Sequence, residues 1–220
     1  MQLIDLSFIV QAIAFISSLP AFFSKKYPSA LKILMPYLLL TLVVESLAFY
    51  VTERMHFKSN AFVYNFYIVV SVLTYLRVLQ VIIKDRITDK FILPAMVCFV
   101  VFAAANLLFI QQAGQLNTYT YFVGGFLIAG FCGVFFLSWL NKNEVVALWT
   151  DPAFWLASGL LIYYLPKIIL YASQTYLYQV RKLSDAATFN ELFHTTNLVL
   201  VCVLYIFISI NFLCSLRKPT

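Results

Sequence analysis

Seven long apolar runs constrain this chain more than any other feature. They lie at about 3–23, 32–53, 61–83, 91–111, 118–140, 153–175 and 192–216, and each holds 21 to 25 residues. A helix rises about 1.5 Å per residue, and about 20 residues cross the hydrocarbon core of a bilayer. Every run is therefore long enough to span, with some tilt. Strands are excluded, because a lone open strand cannot satisfy its backbone in lipid. The expected fold is all-α: one polytopic seven-transmembrane-helix bundle occupying residues 1–220. The connectors, at 24–31, 54–60, 84–90, 112–117, 141–152 and 176–191, leave no room for a soluble domain, and no internal repeat is visible. Composition agrees. The chain is 63% hydrophobic and 11% charged, whereas soluble domains carry about 25% charged residues.

The formal net charge of +6 does not point to nucleic acid, because the basic residues sit in short loops rather than in one patch. On the side of the C-terminus lie Lys25, Lys26, Lys32, Lys84, Arg86, Lys90, Lys142, Arg217 and Lys218, nine in all. On the side of the N-terminus lie Arg54, Lys58, Arg181 and Lys182, four in all, while Arg77 and Lys167 fall within spans. Basic loops stay in the cytoplasm, so the N-terminus is expected outside and the C-terminus inside. Trp139, Trp149 and Trp155 cluster around the fifth connector, as in an aromatic belt at the inner face. The first run has no basic residue before it and carries Asp5, which reads as an anchor rather than a cleaved leader. Cys98, Cys132, Cys202 and Cys214 all fall in apolar runs and form no disulfide framework or metal spacing.

Local punctuation refines the helices. Asp151-Pro152 reads as an N-cap with proline at the first helical position. Pro36 and Pro94 are expected in first turns, leaving Pro166 as the one interior proline, a kink or hinge in span six. Gly125, Ala129 and Gly133 form a small-residue seam in span five along which another helix can approach.

Polar groups inside the spans carry the functional argument. A charge near the bilayer centre costs roughly 2.5–3.5 kcal/mol on insertion scales, so such groups usually face the bundle interior. Glu45 lies 13 residues past Lys32, and Lys167 lies 14 residues past Ala153. Counting from the cytoplasmic ends of spans two and six therefore puts both at nearly one depth, and they are candidates for a buried ion pair. Such a pair could serve a ligand site, or merely fix helix register. Arg77, close to the inner end of span three, can snorkel to headgroups. Gly159, Tyr163, Lys167, Tyr171 and Gln174 share one face of span six. Thr41, Glu45 and Thr52 share a face of span two; Tyr64, Tyr67, Ser71 and Thr74 share one of span three, with Asn65 beside it. His194, Asn197 and Asn211 lie on one stripe of span seven, where Asn211 can reach headgroups or a neighbour. These stripes predict a polar, tyrosine-rich cavity in the outer half of the bundle, between spans two, three, six and seven. Its expected ligand-binding residues are Glu45, Tyr67, Tyr163, Lys167, Tyr171, His194 and Asn197, with Pro166 as hinge and the connector 176–191 as cover. A closed network of interhelical hydrogen bonds is the alternative.

Sharper chemistries fail on inventory. Only His56 and His194 are present, too few for the zinc site of seven-helix ceramidase-like hydrolases or for paired-histidine heme. Glu191-Leu192-Phe193-His194 gives one ExxH motif where a di-iron bundle needs two. Span seven lacks the lysine that retinal needs in microbial rhodopsins, and the proline-glutamine dipeptide of seven-helix sugar transporters is absent. No cofactor or metal is expected.

Asp151-Pro152-Ala153-Phe154-Trp155, followed by Gly159-Leu160-Leu161-Ile162-Tyr163-Tyr164, resembles a pattern in uncharacterised seven-helix inner-membrane proteins of Gram-negative bacteria. The segment from His194-Thr195-Thr196-Asn197 resembles their last helix. The likeness covers the last third of the chain, and the rest only in hydropathy. It implies a place in the bacterial inner membrane and work beside a signalling partner. The function expected is thus a non-enzymatic, receptor-like sensor that binds a small ligand and signals through a partner protein. Its rivals are a small carrier using the Glu45–Lys167 level, which lacks inverted repeats, and an intramembrane lipid-modifying enzyme, for which no nucleophile–base set is visible.

Overall fold

Apolar runs of this length leave the backbone no hydrogen-bonding partner in lipid except itself, which dictates helices. A computed structural model describes residues 3–24, 27, 31–54, 60–83, 86–111, 116–141, 148–176 and 187–217, and no strand occurs among them. The helices are α1 (Leu3–Phe23), α2 (Leu34–Glu53), α3 (Ala61–Ile83), α4 (Arg86–Ala105), α5 (Thr118–Leu140), α6 (Pro152–Thr175) and α7 (Ala187–Arg217). All seven are long and apolar enough to cross a membrane, so the protein is a seven-helix integral membrane bundle. We call the end that carries the start of α1 the N side, and the opposite end the C side.

Three boundaries depart from the hydropathy. The helical turn Leu31–Ile33 leads directly into α2. α4 starts at Arg86 and α7 at Ala187, each about five residues before its apolar run, because a helix can continue past the hydrocarbon into charged sequence. The early start of α4 places Pro94 in its interior rather than in its first turn, and Pro20 also lies inside α1. Among the described residues Pro166 is therefore one of three interior prolines. At its other end α4 widens into a single π turn, Asn106–Ile110.

The packing order is a ring. α1 packs on α2, α2 on α3, α3 on α5, α5 on α6, α6 on α7, and α7 back on α1. α4 stands outside this ring, against α3 and α5. α3 is accordingly the most enclosed helix, while Phe91 and Val101 of α4 and Phe109 of its π turn lie open on the surface of the bundle. That apolar exposure suits lipid contact; in water it would be an aggregation surface.

Two glycines set the closest approaches. A Cβ on Gly159 would lie 2.6 Å from the Phe207 Cβ, so α6 and α7 meet there only because the side chain is a hydrogen. A Cβ on Gly124 would lie 2.5 Å from a Val72 methyl, locking α5 to α3. The expected seam is corrected accordingly. Gly125 does pack on Ile168 of α6, but Gly133 has nothing within 4 Å of an added Cβ.

On the C side a polar knot ties three segments. Asn211, fully buried, donates from Nδ2 to the Pro152 carbonyl at 2.6 Å, and its Oδ1 accepts from the Tyr27 hydroxyl at 3.2 Å. Asn211 therefore reaches a neighbour, not headgroups. Burial pushes the Tyr27 hydroxyl above the ordinary tyrosine range, so it stays a donor. Asp151 caps α6 by accepting from the Ala153 amide at 3.2 Å, as its sequence predicts. Trp155 donates from Nε1 to the Trp149 carbonyl at 2.9 Å beside the same turn.

Candidate ligand-binding cavity

Because the ring has six helices, its centre is not filled by one layer of side chains. A cavity of ≈ 730 Å³ lies inside it, within the usual range of about 300–1,000 Å³ for small-molecule sites. Its rim is on the N side, where Asn60, Gln111, Thr118 and His194 contribute. Its floor includes Tyr37 and Tyr75. From Ala61 to Tyr75 α3 advances 14 residues, so the cavity is about 21 Å deep at 1.5 Å per residue. It therefore passes the midplane of a hydrocarbon core about 30 Å thick, and is not confined to the N-side half. Beneath it Leu34, Leu79, Ile128, Leu156, Leu160 and Ile208 are fully buried and close the C side.

All seven expected site residues line this one cavity: Glu45, Tyr67, Tyr163, Lys167, Tyr171, His194 and Asn197. The walls are wider than the four helices expected, since Gln11 of α1 and Tyr121 of α5 also contribute. Gly159 is the exception on its α6 stripe, being spent on the contact with α7. The side chain of Gln174 and residues 177–186, the middle of the expected cover, lie outside the described residues.

Tyrosine dominates the walls. Nine of the fourteen tyrosines line the cavity, and their rings touch in chains. Tyr121 stacks with Tyr164 at 5.8 Å and tilts against Tyr171 at 4.9 Å; Tyr37 lies parallel to Tyr67 at 6.1 Å. The Tyr67 hydroxyl lies 2.9 Å from that of Tyr37, 3.0 Å from Thr41 Oγ1 and 3.3 Å from that of Tyr205. A phenol has one proton and two lone pairs, so three neighbours use its whole capacity. Tyr67 thus joins α2, α3 and α7 and presents its ring, rather than a free hydroxyl, to the cavity.

The two charges take different partners from those expected. Glu45 and Lys167 form no direct ion pair. Glu45 Oε2 accepts from the Tyr64 hydroxyl at 2.9 Å. The Lys167 ammonium donates to the Tyr163 hydroxyl one helical turn away. It also lies 4.4 Å from the Tyr163 ring centroid, 5.5 Å from that of Tyr121 and 5.9 Å from that of Tyr171. Lys167 is 7% exposed, so its charge is held by aromatic faces, whose quadrupoles attract a cation. Arg77, by contrast, is exposed and donates from Nη1 to Gln80 Oε1 at 2.5 Å, away from the cavity.

Several lining residues keep unused hydrogen-bonding capacity. Gln11 Oε1, the Tyr75 and Tyr121 hydroxyls and Asn197 Oδ1 are buried and have no hydrogen-bond partner. An unsatisfied buried polar atom costs roughly 1–3 kcal/mol, and four around one cavity point to a binding surface. A second polar cluster roofs the α4–α5 hairpin. The Asn106 amide donates to Gln111 Oε1 at 3.0 Å, to Thr120 Oγ1 at 3.2 Å and to Asn117 Oδ1, while the Asn117 amide N–H donates to Asn65 Oδ1 at 2.7 Å. Asn65 and Asn106 thus hold the rim rather than face the cavity.

Some of the missed residues carry a signal. Tyr37 precedes Thr41 by four, Tyr75 follows Ser71 by four and Tyr205 follows Asn197 by eight, all extending the recognised stripes. Gln11 and Tyr121 carry no such mark. No group of three or more His, Cys, Asp or Glu side chains suited to a metal occurs among the described residues. Comparison with known protein families, curated proteins and solved structures finds no match.

Proposed function

We propose that this chain is a receptor-like sensor of the bacterial inner membrane, which binds a small ligand in the ring cavity and signals to a partner protein through its C-side connectors. The observation that carries this reading is the pairing of a deep aromatic cavity with two charges that are not spent on each other. A closed packing network would satisfy Glu45 and Lys167 mutually. Here each is supported by a tyrosine and left facing the cavity. The packed floor beneath supports binding over passage. α6 supplies a route for the signal: Lys167 and Tyr163 stand in the wall, Pro166 interrupts the helical hydrogen bonding beside them, and the first turn of α6 is held by Asn211 on the C side.

A carrier is the second reading, favoured by the interior proline beside a charged wall residue, although α6 runs unbroken from Pro152 to Thr175 where a transport helix is typically broken. One pair of experiments separates the two. Purified protein is screened for thermal stabilisation by a library of small metabolites, and any stabilising compound is then tested for flux in proteoliposomes. The sensor reading expects stabilisation that Lys167→Met removes, with no flux. Flux of the stabilising compound makes the protein a carrier, and no stabilisation by any compound overturns both.

A further inference from the structure

The charge pattern of the cavity narrows the ligand class. Among the described lining residues there is one buried ammonium, Lys167, and one half-buried carboxylate, Glu45; His194 is exposed at the rim. Taken together the two fixed charges sum to zero. In a low-dielectric interior an added net charge is expensive, because water no longer screens it. A purely anionic ligand would neutralise Lys167 and leave Glu45 as an uncompensated charge; a purely cationic ligand would do the reverse. A ligand bearing both charges answers both walls and adds no net charge. A single lysine, with no arginine beside it, matches a singly charged group such as a carboxylate or a phosphodiester, not a phosphate monoester. The cavity also offers cation-binding ring faces, and the unpartnered acceptors Gln11 Oε1 and Asn197 Oδ1 lie buried in the side chains of its wall, where a rotation of either amide would bring it to the N–H bonds of an ammonium.

We infer that the cavity binds a small zwitterion, its single anionic group on Lys167, its ammonium toward Glu45 and its apolar part along the tyrosine wall. This inference rests on the reading of the cavity as a ligand site. The same chemistry has two sources, a free amino acid or the headgroup of an ethanolamine phospholipid.

The test is thermal stabilisation of delipidated, detergent-purified protein by the twenty L-amino acids, β-alanine and 4-aminobutanoate. Each stabilising compound is compared with its des-amino and decarboxylated analogues, and dioleoylphosphatidylethanolamine is added in a separate arm. The expected result is stabilisation by a free zwitterion, with each single-charge analogue weaker by on the order of tenfold or more. Glu45→Gln should then abolish the advantage conferred by the ammonium, and Lys167→Met that conferred by the carboxylate. If Lys167→Met does not fold, the ammonium contrast in Glu45→Gln decides alone. Stabilisation by the phospholipid only keeps the zwitterion and assigns it to lipid. A des-amino acid that binds as well as the zwitterion, or an ammonium preference that survives in Glu45→Gln, overturns the inference. Stabilisation by an uncharged or singly charged library compound, with none from any zwitterion, overturns it while leaving the ligand-site reading intact. Silence across the library overturns both.

Discussion

The Tyr67 hydroxyl meets Tyr37, Thr41 and Tyr205 at once, so it acts as a junction between three helices. Tyr67→Phe leaves the buried Tyr205 hydroxyl without its partner, while Tyr37 keeps Ser71 and Thr41 keeps the Tyr37 carbonyl; it is expected to cost about 1–3 kcal/mol, read as a lowered Tm in detergent. An unchanged Tm would show that the Tyr205 hydroxyl re-pairs without it. Glu45 depends on Tyr64, so a double-mutant cycle of Glu45→Gln with Tyr64→Phe should give a coupling of about 1–2 kcal/mol. Strict additivity would remove Tyr64 as the support of the carboxylate. At this scale the sequence was informative about which residues gather and poor about what each bonds to. Glu45, Tyr163, Lys167 and Tyr171 are legible because charge and four-residue spacing single them out. Their tyrosine partners are not legible as partners, because choosing between Tyr64 and Lys167 for Glu45 needs the lateral offset of two helices, which depth counting omits. Gln11 was invisible for a related reason: an isolated amide in a lipid-spanning run gives no hint of whether it faces the ring or the membrane.

Helix contacts sort the small residues by use. Gly159→Ala places a methyl 2.6 Å from the Phe207 Cβ, an atom fixed to the α7 backbone, so the helices must separate. Overpacking of this kind costs about 1–3 kcal/mol and should lower Tm, whereas Gly133→Ala, with nothing within 4 Å, should leave it unchanged. Equal effects of the two would refute the close approach of α6 and α7. Spans α1, α3 and α5 were read from hydropathy with the boundaries the structure shows, because lipid imposes both length and apolarity on a crossing helix. The early start of α4 was missed for the converse reason. Its first turn carries Arg86 and Asp89, and hydropathy reports where the hydrocarbon ends rather than where the helix does. The Asn106 knot was missed too, since its partners lie across a hairpin and become neighbours only once α4 and α5 pack.

For the whole molecule, the basic residues give an orientation that a single measurement can check. Nine Lys and Arg on the C side against four on the N side predict a cytoplasmic C-terminus. A C-terminal alkaline phosphatase fusion should therefore be inactive and a green fluorescent protein fusion bright; the opposite pattern would invert the topology. The ring itself has a consequence for biogenesis. Helices leave the ribosome in chain order, yet the wall of the cavity is closed by α7 returning to α1. Without α7 the same packing of the other five ring helices would be an open trough, with its tyrosines, Lys167 and Glu45 toward lipid. Only α7 turns that trough into a chamber. A ribosome stalled before α7 would thus leave a product that displays to the bilayer charges that are costly there, so insertion of α7 and competence of the site arrive in the same step.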